Sequence, residues 1–483
     1  ARVVGDQGAP RMSRARPGRA ADEPVAFVGE RLRTSGPLRA MLRYVFPDHW
    51  SFLLGEMALY SFMVLVATGV FLALVFDATS TEVVWHGPYA PLDGTRVSGA
   101  YASALDLSFK VPGGLLLRQT HHWAALVFLV SIVLHLLRIF YTAAFRRPRE
   151  LNYLVGVTLM GVAILEGYVG YSLLDDLLSG MGLSIGYGAA LSIPGVGGAL
   201  GSLIWDGPFP GGSAFLPRLF FVHVFLLPAL IATLIGVHLA MIVRPHHTQF
   251  RGPGRREDNV VGSPLWASYA LRSLGMLAAV AAVLVLLGAF VQINPIWEWG
   301  PYEPGIGSNG AQPDWYLGWL IGALRLMPNV EISVFGRTLV PNPFFGGLLF
   351  PTVVFLTLYA WPLIEERVLH RGDRRQHHLL DRPRDNPRRT AFATAFLTWV
   401  ATVFFAGSAD RLFLAFGVSY ELQVRIFRVL FFAAPVMAYI IARRVCLELR
   451  KRPDGHPLRE VDGAVVRRAP DGRFVADDER VPS

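Results

Sequence analysis

Apolar residues in this chain come in runs, and the runs are longer than a soluble helix needs. Eight of them, roughly 51–76, 116–141, 152–174, 219–243, 271–293, 344–363, 391–413 and 426–446, exceed the length of about 18 residues that reads as a membrane-spanning helix. Backbone polar groups inside a bilayer must be satisfied within the segment, which a helix does by itself. The pattern therefore predicts an all-α polytopic membrane protein with eight transmembrane helices. The overall composition, 53% apolar with a mean hydropathy of +0.40, agrees.

The polar stretches between the runs alternate in charge. "RIFYTAAFRRPRE" follows the second run, "RPHHTQFRGPGRRE" the fourth, "EERVLHRGDRRQHHLLDRPRDNPRR" the sixth and "ARRVCLELRKRP" the eighth. The intervening loops are poor in Lys and Arg; the first holds only Arg96 and Lys110. Basic loops stay on the cytoplasmic side, so the rule places both termini there, in a multi-pass protein of the cell membrane. The net charge of +9 is thus explained without a nucleic-acid partner, which would not produce alternation. Cys446 is alone, and there is neither a C-x-x-C-H haem attachment motif nor a cysteine set for an iron–sulfur cluster. Residues 1–24 read as a polar tail, and 25–46, where Arg mixes with apolar positions, as an amphipathic segment along the membrane surface.

Two runs carry histidines near both ends, and a buried imidazole in a membrane is a functional candidate. In the second, His121 and His135 are 14 positions apart and fall about 40° apart on a helix, one face; His122 points about 140° from His135. His121 is therefore the ligand candidate, and His122 faces a headgroup or another helix. In the fourth, His223 and His238 are 15 apart, about 60°, with Pro228 between them able to bend the helix. Both runs start on the outer side, so His121 lies level with His223 and His135 with His238. Two opposed imidazole pairs, about 21 Å apart in depth, are what two six-coordinate b-type haems need inside a four-helix bundle. Gly55 and Gly69 in the first run, and Gly156 and Gly170 in the third, repeat the 14-residue period and would admit a flat ring. Arg118 and Arg138, about one turn beyond the ligands, are candidates to hold the anionic propionates.

These residues resemble the cytochrome b subunit of the quinol–cytochrome c oxidoreductases, over residues 45–450. "QPDWYLGW" is similar to the outer quinol-site signature of that family. "PDHWSFLLGEMALYSF", "RQTHHWAAL", "FRRPRE", "DDLLSG", "HTQFRGPGR" and "QINPIW" resemble its actinobacterial, menaquinol-oxidising branch. The resemblance divides the chain into a tail and surface segment (1–50), a di-haem core (51–250), a C-terminal transmembrane domain with the PDWY loop (251–446) and a cytoplasmic extension (447–483) that contacts other subunits. One departure is Leu174, where the family usually has proline ahead of the acidic pair. That loop caps the outer quinone pocket, so its local shape does not carry over.

The resemblance implies menaquinol oxidation at the outer site, with one electron leaving and the other crossing inward through two non-covalent b haems to a second quinone. It implies proton translocation coupled to that transfer. Asp314 is then the proton acceptor and Tyr316 its neighbour on the quinone, with Pro313, Trp315, Tyr171 and Gly182 lining the pocket. Partial burial would raise an aspartate from its solvated pKa near 4 into a useful range. Having no cluster or c-haem motif of its own, the chain needs a Rieske iron–sulfur subunit and a cytochrome c subunit as partners. The family further implies a homodimer and association with a cytochrome c oxidase. By position, Gln249 and Asp258, or His246 and His247, would serve the inner quinone. A flavocytochrome-type di-haem reductase would need a dinucleotide-binding fingerprint, which is missing, and a transporter would leave the matched spacings unexplained.

Overall fold

The computed structural model describes residues 44–305, 313–369, 373, 375–408, 415–451, 464–469 and 474–477. The tail, most of the surface segment predicted over 25–46, and Gln312 of the PDWY stretch lie outside the described residues. Among those described, eight helices are long and apolar enough to cross a membrane: Trp50–Ala73, Gly114–Tyr141, Glu150–Leu174, Phe215–Val243, Ala270–Phe290, Phe345–Val368, Pro387–Gly407 and Tyr420–Lys451. They match the eight runs in order. The largest departures are at the last two: span seven begins at Pro387, where Asn386 caps it by accepting from the Arg389 N–H, and span eight starts six residues early.

Span one packs on span two and span three on span four, and span five lies across one and two. Between the two histidine levels the bundle is filled by Ala58, Phe128, Leu129, Leu159, Ala163 and Ile231, a dry layer of close-packed side chains. Spans seven and eight pair with each other. A shorter helix, Trp315–Leu326, is wedged against span seven and the start of span six. It sits so close that Gly322 meets the backbone of Val403, and Gly407 that of Gly318. Only small residues allow helices this approach.

Span four explains its own odd spacing. Val222–Leu226 forms a π-turn just ahead of Pro228. Proline offers no N–H and its ring crowds the carbonyl four residues back, and the wider turn relieves both problems. A π-turn also takes up one extra residue. His223 and His238, 15 apart, therefore advance around the axis about as far as His121 and His135, 14 apart. The bend expected from Pro228 is in this way a register correction. Span six opens on the same device, with a π-turn at Phe345–Leu349 before Pro351.

Outer loops fold back on the bundle. The first carries a helix, Gly99–Phe109, capped by Ser98. The loop after span three leads through Leu174 and a left-handed Asp175 into the helix Leu177–Leu191, capped by Asp176. Leu174 packs into the apolar cluster of Trp85, Tyr101 and Ile296, so the position the family gives to proline is held here by burial.

At the opposite end the arginine-rich loops converge. Arg389, with no exposed surface, pairs with Glu365 at 2.7 Å and Asp381 at 2.9 Å, and Arg146 reaches Asp381 at 3.0 Å. Arg149 donates to the carbonyls of Pro245, His246 and His377. A four-stranded antiparallel sheet in the order Val45–Phe46, Asn259–Pro264, Ala464–Arg468, Phe474–Asp477 covers this face. The C-terminal extension, expected to reach other subunits, thus pairs in its described part with the loop after span four of its own chain. The β-branched valines of "AVVRR" suit a strand, and Asn259–Pro264 offers it an edge to join.

Candidate functional site: two imidazole pairs across the bundle

The predicted ligands meet in the predicted pairs. His121 and His223 ring centroids stand 6.3 Å apart, and those of His135 and His238 stand 6.5 Å apart. Two imidazoles binding one metal from opposite sides need about that span, since each metal–nitrogen bond is about 2.0 Å and each ring centre lies about 1 Å further back. Each ring lies over the glycine expected at its depth. A Cβ on Gly69 would stand 3.2 Å from His121, one on Gly55 3.2 Å from His135, and one on Gly156 3.5 Å from His238; one on Gly170 would collide with His223. Side chains at these four positions would fill a cradle that a planar macrocycle needs. The residues fit two haems.

The second ring nitrogens differ between levels. His121 Nδ1 lies 2.9 Å from Thr68 Oγ1, whose own hydrogen goes to the Val64 carbonyl, so the imidazole donates from Nδ1 and leaves Nε2 bare for a metal. His223 Nδ1 lies 3.0 Å from the carboxylate of Glu166 on span three, close enough for an ion pair though not in hydrogen-bond geometry. Neither His135 Nδ1 nor His238 Nδ1 has a hydrogen-bond partner.

The two arginines also part ways. Arg138, near His135, is buried with Nε and one terminal nitrogen unpartnered, its plane 4.2 Å above the Phe52 ring. Those orphaned donors suit a propionate. Arg118 instead gives both terminal nitrogens to the Asn294 carbonyl of the "QINPIW" stretch, which leaves only Nε without a partner.

Beside the outer pair, the PDWY residues converge. Asp314 heads the helix Trp315–Leu326, a position where aspartate ordinarily caps its own helix, but its carboxylate makes no such bond. It meets His122 Nε2 instead, at 2.8 and 2.9 Å, with both side chains about 15% exposed. His122, which the helical wheel turns away from the metal, thus finds the PDWY acid. Tyr316 donates to Asp314 at 3.3 Å and packs on Gly167; Trp315 lies against the bundle core rather than at an interface. Arg428 of span eight steadies the far end of this helix by donating to the Leu326 and Met327 carbonyls, a cation at a helix C-terminus. Tyr171 donates to the Leu178 carbonyl at 2.5 Å and packs on Gly182, both in the helix Leu177–Leu191 that follows span three. Pro313 is half-buried at the head of the same helix.

At the inner end the structure redirects the expectation. Gln249 is fully buried and its amide is spent: Nε2 donates to the Asn259 and Arg256 carbonyls, and Oε1 accepts from Val261. Its amide braces the sheet at this end rather than facing a pocket. Asp258 has an exposed side chain, and its carbonyl accepts from Arg468. His246 and His247 are held neutral, burial and the Arg149 charge lowering them to about 4 and about 3. Another polar cluster lies between spans one and five at this depth. Glu56, next to Gly55, is bound by Tyr60, Tyr269 and Ser273 across spans one and five. Sequence reasoning passed over Glu56 and Glu166, although a carboxylate inside an apolar span was the signal for each.

Comparison with known proteins agrees with this arrangement. A family model described as "Cytochrome b(N-terminal)/b6/petB" matches residues 126–301. A chain of Streptomyces coelicolor named "Cytochrome bc1 complex cytochrome b subunit" is 44% identical over 464 residues, 96% of this chain and 84% of that one. Chains of the same name from Mycobacterium tuberculosis (43%, 93% and 81%) and Corynebacterium efficiens (42%, 93% and 83%) are similar. A solved structure titled "Hyperthermophilic respiratory Complex III" shares the fold, with a TM-score of 0.61 at 20% identity over 86% of this chain and 98% of that chain. With paired histidines in a cradle of glycines and relatives this close along nearly the whole chain, the protein belongs to the haem-binding, multi-pass cytochrome b subunits of bc1 complexes.

Proposed function

We propose that this chain oxidises menaquinol at an outer site beside His121 and His223 and reduces a second quinone at the inner end, as part of a respiratory, proton-translocating complex. The observation that carries the reading is the pair of histidine couples at two depths, each with its glycine cradle. Two b haems held there supply one-electron redox centres. The rest is done by the chain's own side chains.

At the outer site, Asp314 takes a proton from the quinol hydroxyl. His122 holds its carboxylate away from the helix N-terminus and toward the pocket, and Tyr316 hydrogen-bonds the same group. Tyr171, Gly182, Pro313 and Trp315 form the wall. Asp176, sealed in the loop that roofs this pocket, is pushed up to about 6 by burial against its bonds from Ser179, and Tyr302 of the opposing loop ties to Asp175. At the inner end the Glu56, Tyr60, Tyr269 and Ser273 group offers a quinone polar partners between spans one and five, in place of Gln249.

One electron of each pair leaves to a separate Rieske iron–sulfur subunit and a cytochrome c subunit, because a lone cysteine can hold no cluster. The names of the relatives support a bc1 assembly; the resemblance adds a homodimer associated with a cytochrome c oxidase. Convergence of the arginine-rich loops at one end supports a cytoplasmic position for that end and both termini. The test is haem b per chain in purified membranes, with a quinol-reduced difference spectrum. Two haems, reduced by menaquinol and trapped reduced when the inner site is blocked, are expected; one or none would defeat the reading.

A further inference from the structure

Each histidine pair has an arginine within a turn, Arg118 at the outer level and Arg138 at the inner, but the group that stands against a ligand differs. Glu166 Oε1 stands 3.0 Å from His223 Nδ1, and the carboxylate's other oxygen is buried without a hydrogen-bond partner. The third span therefore brings a carboxylate to the back of one ligand of the outer pair and gives it no other partner there. Among the described residues no carboxylate stands within ion-pair reach of His135 or His238; Arg138, with two buried nitrogens unpartnered, is the charged neighbour there. The other carboxylate at inner depth, Glu56, is turned to span five and engaged by three hydroxyls. On the other outer ligand, the partner of His121 Nδ1 is the neutral hydroxyl of Thr68.

We infer that Glu166 is a positioning and tuning residue for the outer haem: through His223 it lowers that haem's potential below the inner one's and so sets the direction of electron flow across the membrane. A carboxylate behind a ligating imidazole makes the ligand more basic, and its negative charge favours the oxidised, more positive iron. In a water-poor bundle that interaction is weakly screened. With an arginine near each pair, Glu166 is the charge against a ligand that the two levels do not share. Electrons entering at the outer site then run downhill inward, which is the order bifurcated quinol oxidation requires. The inference rests on the haem assignment proposed above.

The test is a spectropotentiometric titration of the purified complex carrying Glu166→Gln, with Glu166→Asp and Glu56→Gln beside it. In Glu166→Gln the reduction equilibrium of the outer haem should shift at least tenfold toward the reduced form, a rise of 59 mV for one electron, with the inner haem unmoved. The low-spin spectroscopic signature of the outer ligand field should change with it. Glu166→Asp, keeping the charge further off, should fall between. Glu56→Gln, which removes an equal charge elsewhere in the membrane, should leave the outer potential alone. An unmoved outer potential with full haem content would overturn the inference, and so would loss of the outer haem from both Glu166 variants, which would make the residue a structural prop. A parent complex lacking two haems would instead defeat the haem assignment itself.

Discussion

The outer and inner histidine levels are built on one plan and finished differently. Each has two imidazoles about 6.4 Å apart over two glycines and an arginine within a turn. At the outer level the surrounding polar groups are acids and their partners: Glu166 on His223, Asp314 on His122, and Asp176 in the loop above. At the inner level Arg138, Arg149 and neutral histidines lie under a sheet, and the carboxylate of Glu56 is engaged by Tyr60, Tyr269 and Ser273 rather than by a ligand. What the difference teaches is that ligand geometry alone does not make a wire with a direction. The protein repeats the geometry and varies the charge around it.

The comparison breaks most completely at the ligands. His121→Ala should remove the outer haem and His135→Ala the inner one, read as one haem per chain in each, while His122→Ala keeps both. Loss of a haem on changing His122, with His121→Ala harmless, would overturn the pairing.

The glycines test the same plan more finely. Gly170→Ala places a methyl in collision with His223 and should empty most outer sites, whereas Gly156→Ala, at ordinary contact distance from His238, should leave the inner haem in place. Equal haem loss in the two variants would mean the cradle is not graded as the structure has it.

Asp314→Asn should slow quinol oxidation about 100-fold at unchanged haem content, the usual scale for losing a positioned proton acceptor. His122→Asn should cost less, about tenfold, because the acid remains but loses its holder. Turnover at the parental rate across pH in Asp314→Asn would take that residue out of the proton path.

The smallest effect is a contrast in pH. Burial raises Asp176 from 3.8 to about 6, so the outer loop is most stable below pH 4 and loses that contribution as pH rises through 6. His247 goes the other way. Its pKa, lowered from 6.5 to about 3, means the inner sheet is most stable above pH 6.5 and loses stability as pH falls toward 3. Hydrogen-exchange protection, corrected for the intrinsic pH dependence of exchange, should therefore rise at the inner face between about pH 4.5 and 7 and fall at the outer loop. The same trend at both faces would contradict the assignment.

Much of this was legible along the chain because it is periodic or local. A run of apolar residues dictates a spanning helix whatever surrounds it, and a 14-residue interval puts two side chains on one face by geometry alone. Hence the eight spans, the pairing of His121 with His223 and of His135 with His238, and the glycines beneath them were all legible in the sequence. The 15-residue interval was legible as an anomaly but not as a π-turn, since its resolution depends on how Pro228 disturbs the turn before it.

What only the tertiary structure decided are meetings between distant segments. His122 and Asp314 lie 192 positions apart, and no period links them. Glu166 and His223 sit on different helices whose rotation is set by packing. Gln249, with the right chemistry and place for a quinone ligand, is consumed by a sheet that needs residues from both ends of the chain. Sequence determines what each segment can be and which way its side chains point along it. Which polar group finds which partner is settled when the helices pack, because an intramembrane donor or acceptor left alone is costly and takes the neighbour that folding brings within reach.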